Sequence, residues 1–223
     1  MRNIISINYD YLNKLSVVNK NGSFSTIYKL NDGKCLKIWK EEMGYDIEEF
    51  SKFTRLKINC AIFPEKLVLL DGKFMGYTMN YVNGVDLESC DNFDYSLVVK
   101  KYTDLINMVT NELAELRIMI NDVHSENIIW DNHYNKFTMI DIDRWYFSDV
   151  KKRIVAKCNF NEMRDFFASF IFDNGNPYYY DALNIDSEID FINFYENTKY
   201  DIEKIEGKKI DNLNDVKKVL RRM

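Results

Sequence analysis

Residues 119–145 read "MINDVHSENIIWDNHYNKFTMIDIDRW". Two Asp-centred clusters flank a pair of short apolar segments, Ile128 to Trp130 and Phe137 to Ile140, whose composition predicts strands joined by the polar turn Asp131 to Lys136. Asp122 and Asn127 stand five apart before the first strand, and Asp141 comes fourteen later at the end of the second. Acidic and amide side chains at strand ends are ordinary turn formers. The same side chains also supply hard oxygen ligands for Mg²⁺ and a carboxylate that orients a hydroxyl. The remainder of the chain bears on which reading applies.

Upstream, hydrophobic alternation predicts strands at Phe24 to Leu30 and Lys34 to Trp39 around Asn31-Asp32-Gly33, a hairpin turn. A second hairpin is predicted from Leu67 to Leu70 and Phe74 to Val82 around Asp71-Gly72. Between them, Tyr45 to Ile58 has helical spacing at Phe50, Phe53 and Ile58. After Asn83-Gly84 the period changes. Val98, Tyr102, Leu105, Val109, Leu113, Leu116 and Ile120 recur three or four apart, predicting one long amphipathic helix over 96–119. A further helix is expected around Asn161 to Phe172, and a surface helix over Asp211 to Met223, closing on Lys217, Lys218, Arg221 and Arg222, whose charge suits a helix C-terminus. The Phe stripe at 160–172 and Tyr178-Tyr179-Tyr180 read as core.

The 223 residues, 46% hydrophobic with only 2 Pro, suffice for one large domain or two small lobes. No apolar run is long enough to span a bilayer, and the start lacks the apolar core of a signal peptide, so the expected location is cytoplasmic. Cys35, Cys60, Cys90 and Cys158 are scattered without a CxxC pair, which argues against a zinc site or a disulfide framework. A net charge of −5 argues against nucleic acid as a partner.

The segment "NKNGSFSTIYKLNDGKCLKIWK" resembles the glycine-rich loop, hairpin and lysine strand of protein kinases, with Gly22 at the middle glycine and Phe24 at the loop tip. "GYTMNYVNGVDL", residues 76–87, resembles their hinge, and D-x-x-x-x-N followed by a metal-binding Asp resembles their catalytic loop and metal site. The resemblance to the protein-kinase-like superfamily runs in order from about Ser16 to Phe172. It implies an α+β, bilobal fold: a β-rich N-lobe with one helix over 1–79, a hinge over 80–86 and a mainly helical C-lobe over 87–223.

The resemblance also implies roles. ATP would lie under the loop at Gly22, Ser23 and Phe24, its adenine packed by Ile27, Cys35 and Ile129, with Met79 as gatekeeper and the backbone of Asn80, Tyr81 and Val82 bonding the base. Lys37 would pair with the phosphates and be held by Glu49, with Glu48 as the alternative. Asn127 and Asp141 would hold Mg²⁺, with Asp143 a possible additional ligand, and Asp122 would receive the hydroxyl proton. Phe53, Leu70, Ile120 and Ile142 would form an apolar column, and Asp165 would be the buried acceptor of catalytic-loop N–H groups. The expected activity is transfer of the γ-phosphate to a hydroxyl of a protein or small molecule. Its rivals are a pseudokinase scaffold and an AMP transferase on the same fold.

Several positions depart from the pattern. Lys20 and Ser25 stand where glycine is preferred, Asn121 replaces the arginine before the catalytic Asp, and Asp141-Ile142-Asp143 replaces Asp-Phe-Gly. His124 and the "Ile-Asp-x-Asp" strand end resemble small-molecule and other atypical kinases more than ordinary Ser/Thr kinases.

Overall fold

The computed structural model describes residues 3–19 and 22–223; Lys20, whose character bears on the glycine-rich loop, lies outside them. The chain is α+β and divides into two compact units, Met1–Val82 and Asn83–Met223.

The first unit is built on strands β1 (Ile4–Ile7), β2 (Val17–Asn19), β3 (Ser25–Lys29), β4 (Lys34–Trp39), β5 (Lys66–Leu70) and β6 (Lys73–Asn80), with short helices α1 (Tyr9–Leu12) and α2 (Ile47–Ser51). The sheet order is β1-β5-β6-β4-β3-β2, parallel only between β1 and β5. Both predicted hairpins form. Asp71 and Gly72 adopt φ of 47° and 85°, and Asp32 and Gly33 adopt 61° and 69°, the left-handed backbone that tight hairpin turns require.

Alternation along β4 divides its side chains between two faces. Leu36 and Ile38 join Leu12, Val68, Leu70 and Met75 in one core. Trp39, on the opposite face, packs edge-on to Phe50 of α2 and to Phe74. The helix expected within 45–58 is correspondingly brief: Asp46 caps α2 by accepting from the N–H groups of Glu48 and Glu49, and a 3₁₀ turn at Phe53–Arg55 follows. Phe50 and Phe53 are both buried within it, their rings 5.6 Å apart.

The second unit contains β7 (Gly84–Asp86), α3 (Tyr95–Met108), β8 (Ile118–Met119), β9 (Ile128–Asp131), β10 (Lys136–Met139) and β11 (Tyr146–Phe147). Helices α4 (Lys152–Ile171), α5 (Pro177–Leu183), α6 (Glu188–Glu206) and α7 (Leu213–Leu220) follow. β9 and β10 form the antiparallel pair predicted around Asp131 to Lys136, and β7 adds to the free side of β9. Gly84 permits that addition, because a Cβ there would lie 1.8 Å from the Trp130 carbonyl oxygen.

Three expectations require correction. The helix over 96–119 stops early: α3 loosens into a π-turn at Val109–Leu113, and the chain then turns at Arg117, whose φ is 55°, leaving Leu116 exposed. The C-terminal helix is no surface helix. Leu213, Val216, Val219 and Leu220 are buried, and the Lys217 amine lies 3.5 Å from the centroid of the Phe170 ring and 3.5 Å from Asp91. Tyr180 is exposed, whereas Phe167 of the predicted stripe stacks on Tyr102 at 4.2 Å and packs edge-on to Tyr195 of α6. Of the residues read as an apolar column, Phe53 and Leu70 are buried in the first unit and Ile120 and Ile142 in the second.

Candidate active site

In the first unit, strand register gathers the residues assigned to the nucleotide. Ile27 and Tyr77 lie directly opposite Lys37 on the two neighbouring strands, and Met79 lies opposite Cys35. Directly opposed residues share a sheet face, so Ile27, Cys35, Lys37, Tyr77 and Met79 project to the side away from the Leu36–Ile38 core. Lys37 is 3% exposed, with its amine 5.8 Å from the centroid of the Tyr77 ring. Gly76 sets its backbone, since a Cβ there would fall 2.0 Å from the Lys37 carbonyl oxygen. Burial pushes the Cys35 thiol up to about 11, so this side chain acts as a small apolar surface rather than a nucleophile.

The loop between β2 and β3 carries Gly22, with exposed Ser23 and Phe24 at its tip; the Gly22 carbonyl accepts from the Lys40 amine at 2.6 Å. At the other end of the sheet, the Tyr81 N–H donates to the Gly33 carbonyl at 2.8 Å. Of the three backbone positions assigned to a base, Tyr81 therefore spends its donor within the sheet, while Asn80 pairs across from Lys34 and Val82 follows beyond the strand.

Glu49 is not placed as expected. It is exposed, and both of its carboxylate oxygens are within 2.7 Å of the Lys52 amine, one turn along. The short α2 buries Phe50 and so turns Glu49 outward.

In the second unit the opening stretch forms one connected loop cluster. The Asn127 amide donates to the Asp122 carbonyl at 3.2 Å and meets the His124 ring nitrogen Nε2 at 3.1 Å. Its oxygen has no partner among the described residues, so the buried Asn127 presents a hard acceptor. Across β9 and β10, the Ile140 N–H donates to the Asn127 carbonyl at 2.8 Å, which sets Asp141 next to Asn127's strand. Ile129 is half-buried on β9.

Asp122 and Asp141 both have left-handed backbones, with φ of 65° and 60°. Non-glycine residues adopt this region uncommonly, and such strain concentrates at functional positions. Asn121 supports the first by accepting the Asp122 N–H at 2.9 Å. Among the described residues no three His, Cys, Asp or Glu side chains gather as a cation cage. Asn127 and Asp141 carry hard oxygens of the type that suits Mg²⁺, and Asp143 is half-buried two residues on.

Three further residues shape this loop. Arg144 places Nε 3.4 Å from Asp122 Oδ2, while His124 Nε2 is 3.9 Å from Oδ1. Asn159 of α4, fully buried, accepts the Ile120 N–H at 3.1 Å and donates to the Ile118 carbonyl at 2.9 Å. Glu162, one turn along α4, accepts the Val123 N–H; burial pushes its carboxyl upward, that hydrogen bond opposes the shift, and Asp165 and Asp122 add to it. Asp165, the expected acceptor of loop N–H groups, is exposed and paired with Arg164 at 2.6 Å. The hydrogen bonds to the loop come from earlier on the helix, from Glu162 one turn before and Asn159 nearly two.

No protein-family model and no curated protein matches the chain. The functional reading therefore rests on the residues and their geometry.

Proposed function

We propose that the chain is an ATP- and Mg²⁺-dependent phosphotransferase of bilobal, protein-kinase-like build that moves the γ-phosphate to a hydroxyl of a protein or small molecule. The observation that carries this reading is the Asp122–Asn127–Asp141 cluster. Residues five and fourteen apart in sequence are tied into one loop by the Asn127 amide and the Ile140 N–H, with both carboxylates on left-handed backbone. Turn formers need no such convergence.

Asp122 accepts the proton of the attacking hydroxyl and Lys37 pairs with the phosphates, while Asn127 and Asp141 supply the oxygen ligands for the cation. Mg²⁺, when bound, neutralises charge on the phosphates. Ile27, Cys35 and Met79 give the base an apolar wall, and burying them against it contributes roughly 25 cal/mol per Å². Catalysis comes mainly from positioning and charge neutralisation, because the transition state asks little covalent chemistry of the protein.

Asp122→Ala is expected to lower turnover by roughly 10²- to 10⁴-fold, the span of a general base, and Asp141→Ala to abolish it. Unchanged phosphoryl transfer by the Asp141 variant discards the assignment. A second reading, a nucleotide-binding scaffold without turnover, draws support from Lys20 and Ser25, which stand where the loop at Gly22 would prefer glycine for close approach to phosphates. It is the outcome if Mg²⁺ and ATP raise the melting temperature while no product forms.

A further inference from the structure

Far along the chain from the loop cluster, the ends of α6 and α7 border a cavity of about 470 Å³. Its wall carries Lys208, Lys209, Lys218, Arg221 and Arg222 against the single carboxylate Asp215. In a chain with a net charge of −5, this is a marked local reversal of sign. Basic residues in the last turn of a helix are ordinarily explained by the macrodipole, whose influence fades within that turn. Lys218 fits that explanation. Lys208 and Lys209 do not, since they follow Gly207, the left-handed residue at φ 66° that ends α6, and Arg221 and Arg222 lie past the last residue of α7.

The backbone of one part of the wall and one of its cations are held in place. The Ile210 N–H donates to Glu203 at 3.0 Å and Ile210 itself is buried, which pins the Lys208–Lys209 turn. Arg222 donates from Nε to the Lys218 carbonyl at 3.2 Å and lies 3.4 Å from Glu206. Lys218 meets Asp215 only at 3.6 Å, and Lys208, Lys209 and Arg221 form no ion pair among the described residues. Glu203 and Glu206 thus brace the backbone and Arg222 and leave an excess of positive charge on the wall. A volume within the usual 300–1,000 Å³ of small-ligand sites suits a compact anion.

We propose that this cavity binds a small polyanion carrying two or more phosphate groups, held by Lys208, Lys209, Lys218 and Arg221. Charge-assisted bonds from several neighbouring cations to phosphate oxygens supply the affinity. The site is separate from the Asp122 loop cluster and does not depend on the function proposed for it.

The test is a titration of the full chain with inorganic tripolyphosphate, followed residue by residue through backbone amide resonances. Saturable shifts at residues 207–210 and 218–223 are expected, with affinity falling at least tenfold when salt rises from about 50 to 200 mM. The double variant Lys209→Glu, Arg221→Glu should lose at least tenfold in affinity at an unchanged melting temperature, both side chains being exposed. The proposal is overturned if those amides show no saturable shift, if the double variant binds as tightly as the parent, or if only a long polyanion such as an RNA oligonucleotide binds.

Discussion

Arg144 Nε lies 3.4 Å from Asp122 Oδ2, so the carboxylate assigned to receive a hydroxyl proton is held by a cation from the segment just beyond Asp141. Both side chains are partly exposed, at 51% and 39%, and such pairs contribute only about 0–1 kcal/mol to stability. Any contribution of the contact beyond that would be to the orientation of the Asp122 carboxylate. Arg144→Ala should leave the unfolding free energy within about 1 kcal/mol of the parent while reducing turnover roughly tenfold with little change in the KM for ATP, about 1.4 kcal/mol of barrier. Arg144→Lys should recover part of the loss. Equal turnover in parent and Arg144→Ala, measured at saturating ATP, removes any orienting role.

Gly76 is a steric requirement. An added methyl would sit 2.0 Å from the Lys37 carbonyl oxygen and 3.1 Å from the Ile38 Cα, both backbone atoms that cannot swing aside. Gly76→Ala should cost about 3 kcal/mol, at the upper end of overpacking penalties, read as a lowered urea midpoint. A variant as stable as the parent indicates that β4 and β6 separate more easily than their register implies.

Asn159 makes a different contribution. Replacing it with Ala strands the Ile120 N–H and the Ile118 carbonyl in a fully buried setting, at about 2–4 kcal/mol for the two groups together. Asn159→Asp keeps the acceptor for Ile120 but loses the donor to Ile118, so it should be destabilised as well. Hydrogen exchange at Ile120 offers the local check, with protection lost in Asn159→Ala; retained protection means another group anchors the strand.

Glu162 yields a pH dependence of definite sign. Its carboxyl is raised from the ordinary 4.5, first by burial and further by Asp165 and Asp122, with the Val123 N–H opposing. The folded state thus holds this proton more tightly than the unfolded chain does. The resulting stability is fully present below the ordinary glutamate range and is lost as pH rises through the folded-state value. Glu162→Gln, which still accepts from Val123, should gain stability relative to the parent as pH climbs from about 4 to 7, and the gap should close at the acid end. A gap independent of pH assigns the effect to packing.

Much of this architecture is legible in the sequence because local chemistry agrees with the final structure. Asp71-Gly72 and Asn31-Asp32-Gly33 demand left-handed backbone and receive it, and β9 and β10 pair antiparallel around the polar turn after Asp131. The pattern misleads where periodicity continues past a break that it does not encode. Leu116 and Ile120 keep the spacing of α3, yet the π-turn shifts the phase and Arg117 turns the chain. The longest unforeseen helix, α6, buries Phe191, Tyr195, Thr198 and Ile202, a periodic face in which a Thr breaks the apolar run.

At the candidate site, Asp122, Asn127 and Asp141 stand out in the sequence through the resemblance of the whole segment to the kinase pattern, since their spacing alone also suits turn formers, whereas the residues that hydrogen-bond the loop give no such signal. Asp165 resembles the anchoring residue by position, but the phase of α4 turns it to solvent and brings Asn159 and Glu162 to the loop. Glu49 fails for a related reason, since a five-residue helix that buries Phe50 directs it outward. Arg144 gave no sequence signal because its partner lies 22 positions away on a separate turn.

The most direct measurement incubates the protein with Mg²⁺ and ATP labelled separately at the γ- and α-phosphates, with and without cell extract. The account predicts transfer of γ-label alone, dependent on Mg²⁺ and absent in Asp141→Ala. Transfer of α-label, or none of either in any extract, contradicts it.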